Sequence, residues 1–302
     1  MDAPLPVIDG VSPSSQWLPA GPWKTVLEFL IEHFARVETT TWLARMARGE
    51  LLDERGQRLN AASVYRAGAC IFYYRELETE ERIPFTEQVL YQDENILIAD
   101  KPHFLPVIPA GRFLHETLLV RLKKKLKLEE LVPVHRLDRE TAGLVLFSVN
   151  AATRGRYTAL FRNRQVTKVY EAFAPTRSDL TFPIRRRSRI VPGEPFFRMQ
   201  EVAGESNSET YLDVLKGASR VDGASLYQLQ PSTGRKHQLR VHLSALKIPI
   251  INDRLYPEVS SPSDAESSDP FSSPLKLLAK SIAFQDPLTG QERYFVSERK
   301  VA

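Results

Sequence analysis

Apolar positions along the chain follow two rhythms, and the rhythm changes mark its elements. From Trp23 to His33, Val26, Leu27, Phe29 and Leu30, continued by Phe34, recur at helical spacing and predict an amphipathic helix. A second short helix is predicted from Trp42 to Arg48, ended by Gly49. Leu51-Leu52 and Cys70 to Tyr74 read as strands, with the turn Asp53-Glu54-Arg55-Gly56 after the first. Residues 21–76 are therefore expected to form a small α/β module. The Pro/Ser-rich residues 1–20 are expected to be a loosely draped tail, and the acidic stretch over 77–84 a linker.

A second pattern begins near Phe85 and is expected to run to residue 300. Val89-Leu90-Tyr91 and Ile96 to Ala99 flank Gln92-Asp93-Glu94-Asn95, the signature of a hairpin. Helices are predicted at Glu116–Leu128, Ala152–Phe161 and Arg235–Lys247. Strands are predicted at Leu144–Val149, a continuous apolar run, and at Lys168–Ala174, Ser208–Lys216, Ala224–Pro231, Leu277–Asp286 and Gln291–Val296. This order indicates an α+β fold on a mixed, mostly antiparallel sheet with flanking helices. Residues 258–274 are rich in serine and read as a flexible insertion.

Composition narrows the classes. At 302 residues and 42% hydrophobic content the chain can bury a sizeable core. No run approaches the ~20 apolar residues of a membrane span, so no membrane partner is expected. The start lacks the basic-then-apolar pattern of a secretory signal. With Cys70 as its one cysteine the chain can form no internal disulfide, which fits a reducing cytoplasm. A net charge of +4 hides an asymmetry: residues 1–100 carry −7 and residues 101–302 carry +11. The basic body suggests a polyanionic partner, although a merely solvated surface explains composition alone equally well.

Three clusters carry candidate chemistry. His135-Arg136-Leu137-Asp138-Arg139-Glu140-Thr141 sets charged residues directly before a buried strand, where charge needs a partner or a task. Asp138 could equally cap the turn there. Ser232 to His242 opens a helix with Arg235, Lys236, His237, Gln238, Arg240 and His242. The five-residue spacing of the two histidines, with no further Cys or Glu, argues against zinc. Lys168-Val169-Tyr170 places Lys168 and Tyr170 on one strand face, where an ordinary half-buried tyrosine is the simpler reading. A kinase reading of His-Arg-Leu-Asp fails, because no glycine-rich loop or Asp-Phe-Gly accompanies it.

Together these pieces resemble the RluA-type RNA pseudouridine synthases. The central motif is matched at His135 to Leu144, the Lys-x-Tyr strand at Lys168 to Tyr170, and the Gly-Arg-x-His-Gln-Leu-Arg-x-His motif at Gly234 to His242. Asp253 and Tyr256 follow in order, and Ile96 to Pro102 matches an earlier strand ending in Lys-Pro. After Lys101-Pro102 the family commonly has a small residue and a glycine; this chain has His103-Phe104. Residues 21–76 resemble, more weakly, an S4-like RNA-binding module with a thin set of basic residues.

The resemblance implies an enzyme that isomerises a uridine in ribosomal or transfer RNA without a cofactor or metal. It implies Asp138 as nucleophile or general base, with Arg235 as its counter-charge. Tyr170 is implied to pack beneath the base and to assist removal of the C5 proton. Leu239 is implied in the pocket wall, Arg136 in the space the uridine vacates, and His135 and Lys168 in contact with substrate. Arg121, Lys123, Lys124, Lys125 and Lys127, and the run Arg185 to Arg189, are further candidates for phosphate contact. A monomer bound to structured RNA is expected. A binding protein that merely keeps the fold is the competing reading, and it would not need Asp138, Tyr170 and Arg235 together.

Overall fold

A computed structural model describes residues 3–77, 79–215, 223–259 and 269–301. The chain divides into two compact units: residues 1–81 with 109–116 and 120–129, and residues 82–108 with 117–119 and 130–302. The first unit thus takes in two segments that the sequence reading assigned to the larger domain. No helix among the described residues is long and apolar enough to cross a membrane.

In the first unit, β1 (Ser14–Trp17) precedes α1 (Val26–His33), α2 (Thr39–Arg48), β2 (Leu51–Asp53) and β3 (Cys70–Tyr73). The Thr25 hydroxyl accepts the Glu28 amide at the start of α1, and Gly49, at φ 72°, ends α2. The strands form an antiparallel sheet in the order β1-β3-β2, and Phe29, Leu30, Trp42 and Leu51 fill the core. The expected tail is therefore partly structured. β1 pairs with β3, and Val11 and Leu18 are buried, because these scattered apolar residues meet an apolar surface that periodicity alone did not reveal. The expected linker is tied down as well. The Glu80 carboxylate accepts the backbone N–H groups of Leu114, His115 and Glu116 at 2.6–2.9 Å.

Helix α3 (Leu118–Leu126) follows, and within it Lys123 is buried rather than displayed. The second unit is built on eleven strands: β4 (Gln88–Gln92), β5 (Ile96–Lys101), β6 (Val132–Pro133), β7 (Ala142–Ser148), β8 (Val166–Pro175), β9 (Ile184–Pro192), β10 (Met199–Val202), β11 (Ser208–Val214), β12 (Ala224–Pro231), β13 (Leu277–Gln285) and β14 (Glu292–Val296). Their order is β10-β9-β11-β12-β8-β13-β7-β5-β4, with β14 on β13 and β6 on β7. Every pairing is antiparallel except β7 with β13. Helices α4 (Arg154–Arg162) and α5 (Gln238–Ala245) complete the unit. Leu239 and Leu243 of α5 pack on Ala172, Leu212, Tyr227 and Leu229 of the sheet. The heart of the Ser-rich insertion, 260–268, lies outside the described residues.

Two local differences matter for the site. Helix α5 begins at Gln238, not Arg235, because His237 is in the left-handed region at φ 55° and ends any helical run before it. Strand β7 is buried at all seven positions and crosses β13 at Gly143. A Cβ there would lie 2.3 Å from the Ala279 carbonyl oxygen and 2.7 Å from its nitrogen, and Gly143 holds φ at +110°. Neither the space nor the dihedral admits a side chain. Gly143→Ala is therefore expected to destabilise the protein by roughly 3 kcal/mol or more, read by urea unfolding. A loss under about 1 kcal/mol would show that the β7–β13 contact can open.

Candidate active site

Asp138 precedes β7 at the first position of a tight turn, in which the Thr141 amide donates to the Asp138 carbonyl at 3.1 Å. Its carboxylate enters an open cleft between the turn, β8, the end of β12 and the start of α5. Arg136, Asp138, Lys168, Tyr170, Arg235 and Leu239 all line this cleft, although they come from three distant parts of the sequence. Arg136 is exposed at it, while Leu239 supplies buried apolar wall.

The counter-charge is not the one expected. Arg240 Nη1 lies 3.4 Å from Asp138 Oδ2, and its Nε and Nη2 donate to the two oxygens of Asp253 at 2.8 and 2.6 Å. The Arg240 and Asp253 side chains are 2% and 0% exposed, against 28% for Asp138. Arg240 is thus a fixed buried charge, while the carboxylate it faces stays reachable from the cleft. Burial opposes that charge, but the Asp253 hydrogen bonds, with Asp253 and Asp138 nearby, outweigh it and hold the guanidinium protonated. Arg235 lies before the helix, exposed, with its Nε donating to the Asn207 carbonyl at 3.1 Å. The helix start decides this. Arg240 falls within the first turn of α5 and is buried, and Arg235 falls in the loop.

That loop is fixed by Gln238. Its amide oxygen accepts from Thr233 Oγ1 and the Arg235 amide, and its nitrogen donates to the Glu209 carbonyl and Thr210 Oγ1. A buried amide satisfied on both sides holds one conformation. His237 Nδ1 meets the Tyr256 hydroxyl at 3.0 Å, and its Nε2 lies 3.9 Å from Asp138 Oδ1. Burial pushes the His237 imidazole down to about 4.

His135 does not line this cleft. It stacks on Phe161 at 4.7 Å, and its Nε2 accepts the Leu146 amide at 3.1 Å, so any single proton is on Nδ1. Burial, reinforced by Lys168, pushes it down to about 3. A ring whose acceptor nitrogen takes the Leu146 amide ties the segment before the turn to β7. Tyr170 is shifted the other way: burial, with the Asp138 charge, pushes its phenol well up, so it stays protonated at neutral pH. It offers the cleft a ring and an O–H. Lys168 reaches towards the Thr233 carbonyl at 3.5 Å, and burial lowers its affinity for a proton.

Beneath the turn lies Lys101, wholly buried at the end of β5. Its Nζ donates to the carbonyls of Pro102, Leu105 and Arg139 at 3.0, 2.8 and 3.1 Å, matching three donors to three acceptors. Desolvation pushes it down to about 7, against the pull of Glu140 and Asp138.

A reachable carboxylate facing a buried guanidinium, beside a protonated tyrosine and an apolar wall, defines a site for chemistry on one small ring admitted to a cleft. The family model described as RNA pseudouridylate synthase matches residues 95–245, which include all of these groups except Asp253 and Tyr256. The dual-specificity RNA pseudouridine synthase RluA of Vibrio vulnificus is 33% identical over 215 residues, covering 68% of this chain and 79% of that protein. An RNA pseudouridine synthase of Synechocystis is 28% identical over 245 residues, covering 76% and 79%. The solved structure of human RNA pseudouridylate synthase domain containing 1 is similar at a TM-score of 0.57 and 25% identity, over 73% of this chain and 86% of that one. The chain belongs to the RNA pseudouridylate synthase family, of RluA type, and is an RNA pseudouridine synthase.

Two measurements test the geometry. Arg240→Ala leaves Asp253 buried without its partner, and is expected to lose nearly all activity and about 3–5 kcal/mol of stability. Arg235→Ala should retain far more of both, and the reverse ranking would restore Arg235 as the counter-charge. For Lys101, the folded chain holds the proton less tightly than the unfolded chain, where the amine titrates near 10.5. Between about pH 7 and 10.5 the unfolded state binds more protons, so this group's contribution to stability rises with pH. Relative to Lys101→Met, wild-type unfolding free energy should climb across that window with a slope approaching about 1.4 kcal/mol per pH unit. A flat or falling difference would contradict the assignment.

Proposed function

We propose that Asp138 is the nucleophile or general base that converts one uridine of a structured ribosomal or transfer RNA into pseudouridine in this cleft. The supporting observation is the Asp138 carboxylate itself, reachable from the cleft and 3.4 Å from a buried guanidinium. The reaction breaks the bond from C1′ to N1, turns the base, forms a bond from C1′ to C5, and releases the C5 proton to solvent while N1 takes one up. Atoms and electrons balance within the nucleotide, so no cofactor is called for.

The roles divide by chemistry. Arg240 orients the carboxylate, because a guanidinium stays protonated and binds carboxylates directionally. Tyr170 and Leu239 sandwich the ring, with stacking on an aromatic face worth roughly 1–3 kcal/mol. That gain helps offset the few kcal/mol of unstacking the target uridine. Arg136, exposed at the cleft, fills the place the uridine leaves. The relatives' names agree with an RNA substrate: one is named a dual-specificity RNA pseudouridine synthase and another a tRNA pseudouridine(31) synthase. In the S4-like reading of the first unit, Arg45 and Arg48 are already engaged by Glu76, so the basic second half of the chain does most of the holding.

Asp138→Ala is the direct test. Tritium release from RNA labelled at uridine C5 should fall by roughly a thousandfold or more, while RNA affinity stays within about threefold. Retained turnover in the purified variant would remove Asp138 from the chemistry. Pseudouridine mapping of total RNA with and without the gene then names the uridine.

A further inference from the structure

The turn Asp138–Thr141 exposes three consecutive carbonyls, and each has its own donor. The Thr141 amide holds that of Asp138, Lys101 Nζ holds that of Arg139 at 3.1 Å, and His103 Nδ1 holds that of Glu140 at 2.7 Å. A carbonyl can only accept, so His103 carries a proton on Nδ1. The ring is partly buried, and its surroundings fix that donor in place. Lys101, Glu140, Arg139 and Arg299 are the charged groups around the turn and the ring.

The next residue secures the loop. Phe104 is in the left-handed region at φ 66°, a conformation that favours glycine, yet its side chain is 2% exposed. It packs against Phe85 at 5.8 Å and edge-on to Phe271 at 5.2 Å, and those two rings meet at 5.5 Å. The same loop is held from below, where Lys101 binds the carbonyls of Pro102 and Leu105. Residues 102–105 thus keep a strained shape because several contacts over-determine it, and that shape aims the His103 ring at Glu140.

We infer that His103 is a positioning residue: its Nδ1–H holds the Glu140 carbonyl, and so the turn, where Asp138 stands opposite Arg240. The inference rests on Asp138 being the reacting carboxylate. An imidazole at this position adds a third anchor to a turn whose first residue must meet a fixed, buried guanidinium. A turn free to shift by an ångström would lose that alignment, because Arg240 is held by Asp253 and cannot follow.

The experiment compares His103→Leu, which keeps bulk without a donor, with His103→Asn, whose amide nitrogen occupies much the same place as Nδ1. The probe is cellular RNA labelled at uridine C5 and prepared from a strain lacking the gene. His103→Leu should lower kcat about tenfold with KM within about twofold, and His103→Asn should recover to within about threefold of wild type. Amide exchange at Thr141 should quicken in the Leu variant only. Should the Leu variant not fold by circular dichroism, His103→Ala takes its place with the same expectations. Activity of the donor-less variant within twofold of wild type, a defect confined to KM, or an Asn variant as impaired as Leu each overturns the assignment. Asp138→Ala is run alongside. If it is dead while the donor-less variant is fully active, only the role of His103 fails; if Asp138→Ala turns over, the reading of the site itself fails.

Discussion

The buried guanidinium of Arg240 is the constraint around which the second unit is arranged. A charge at 2% exposure survives only with partners, and Asp253, itself wholly buried, satisfies two of its nitrogens. The third nitrogen is left to face Asp138. Because Arg240 and Asp253 lock each other, the position of the counter-charge is set by the fold and not by the substrate. Asp138 must therefore be delivered to it, and the surrounding backbone does the delivering.

Delivery depends on backbone more than on side-chain packing. Gly143 lets β7 pass against β13 at a separation no other residue permits, and β7–β13 is the parallel pair in an otherwise antiparallel sheet among the described residues. The turn that feeds β7 is held at three successive carbonyls. Lys101 joins the end of β5 to that turn, and His135 fixes the entry strand to Leu146 from the other side. Each of these contacts constrains where the Asp138 carboxylate stands.

Much of this was legible in the sequence, and the misses have physical causes. The β5, β7, β8, β11, β12 and β13 strands carry apolar runs or alternation, and they were found near their predicted bounds. Strands β9 and β10 were missed because arginines occupy β9, although its buried side, led by Ile190, alternates with exposed Arg185, Arg187 and Arg189. Six of the seven candidate site residues share one cleft, since each lies in a motif whose spacing depends on local structure. The exception, His135, looked like a substrate contact because its partner, the Leu146 amide, is a backbone group that no side-chain pattern reveals. The resemblance implies Arg235 as the counter-charge, while the side chain that faces Asp138 is Arg240, and which of the two does so turns on where α5 begins. A left-handed His237 sets that start, and a histidine does not advertise such a conformation in sequence.

The titration pattern around the cleft narrows the chemistry further. Burial drives His135 to about 3 and both His237 and His242 to about 4, so all three rings are neutral at physiological pH. All three are also committed: His135 to the Leu146 amide, His237 to the Tyr256 hydroxyl, and His242 to the hydroxyls of Ser188, Ser208 and Thr210. Tyr170 is pushed the other way and keeps its proton. Arg240 keeps its charge. The cleft thus presents one neutral imidazole, that of His237, a protonated phenol and a fixed cation at neutral pH. A carboxylate is the anion such an environment is built to hold, and Asp138 is the one that meets both the cation and the cleft.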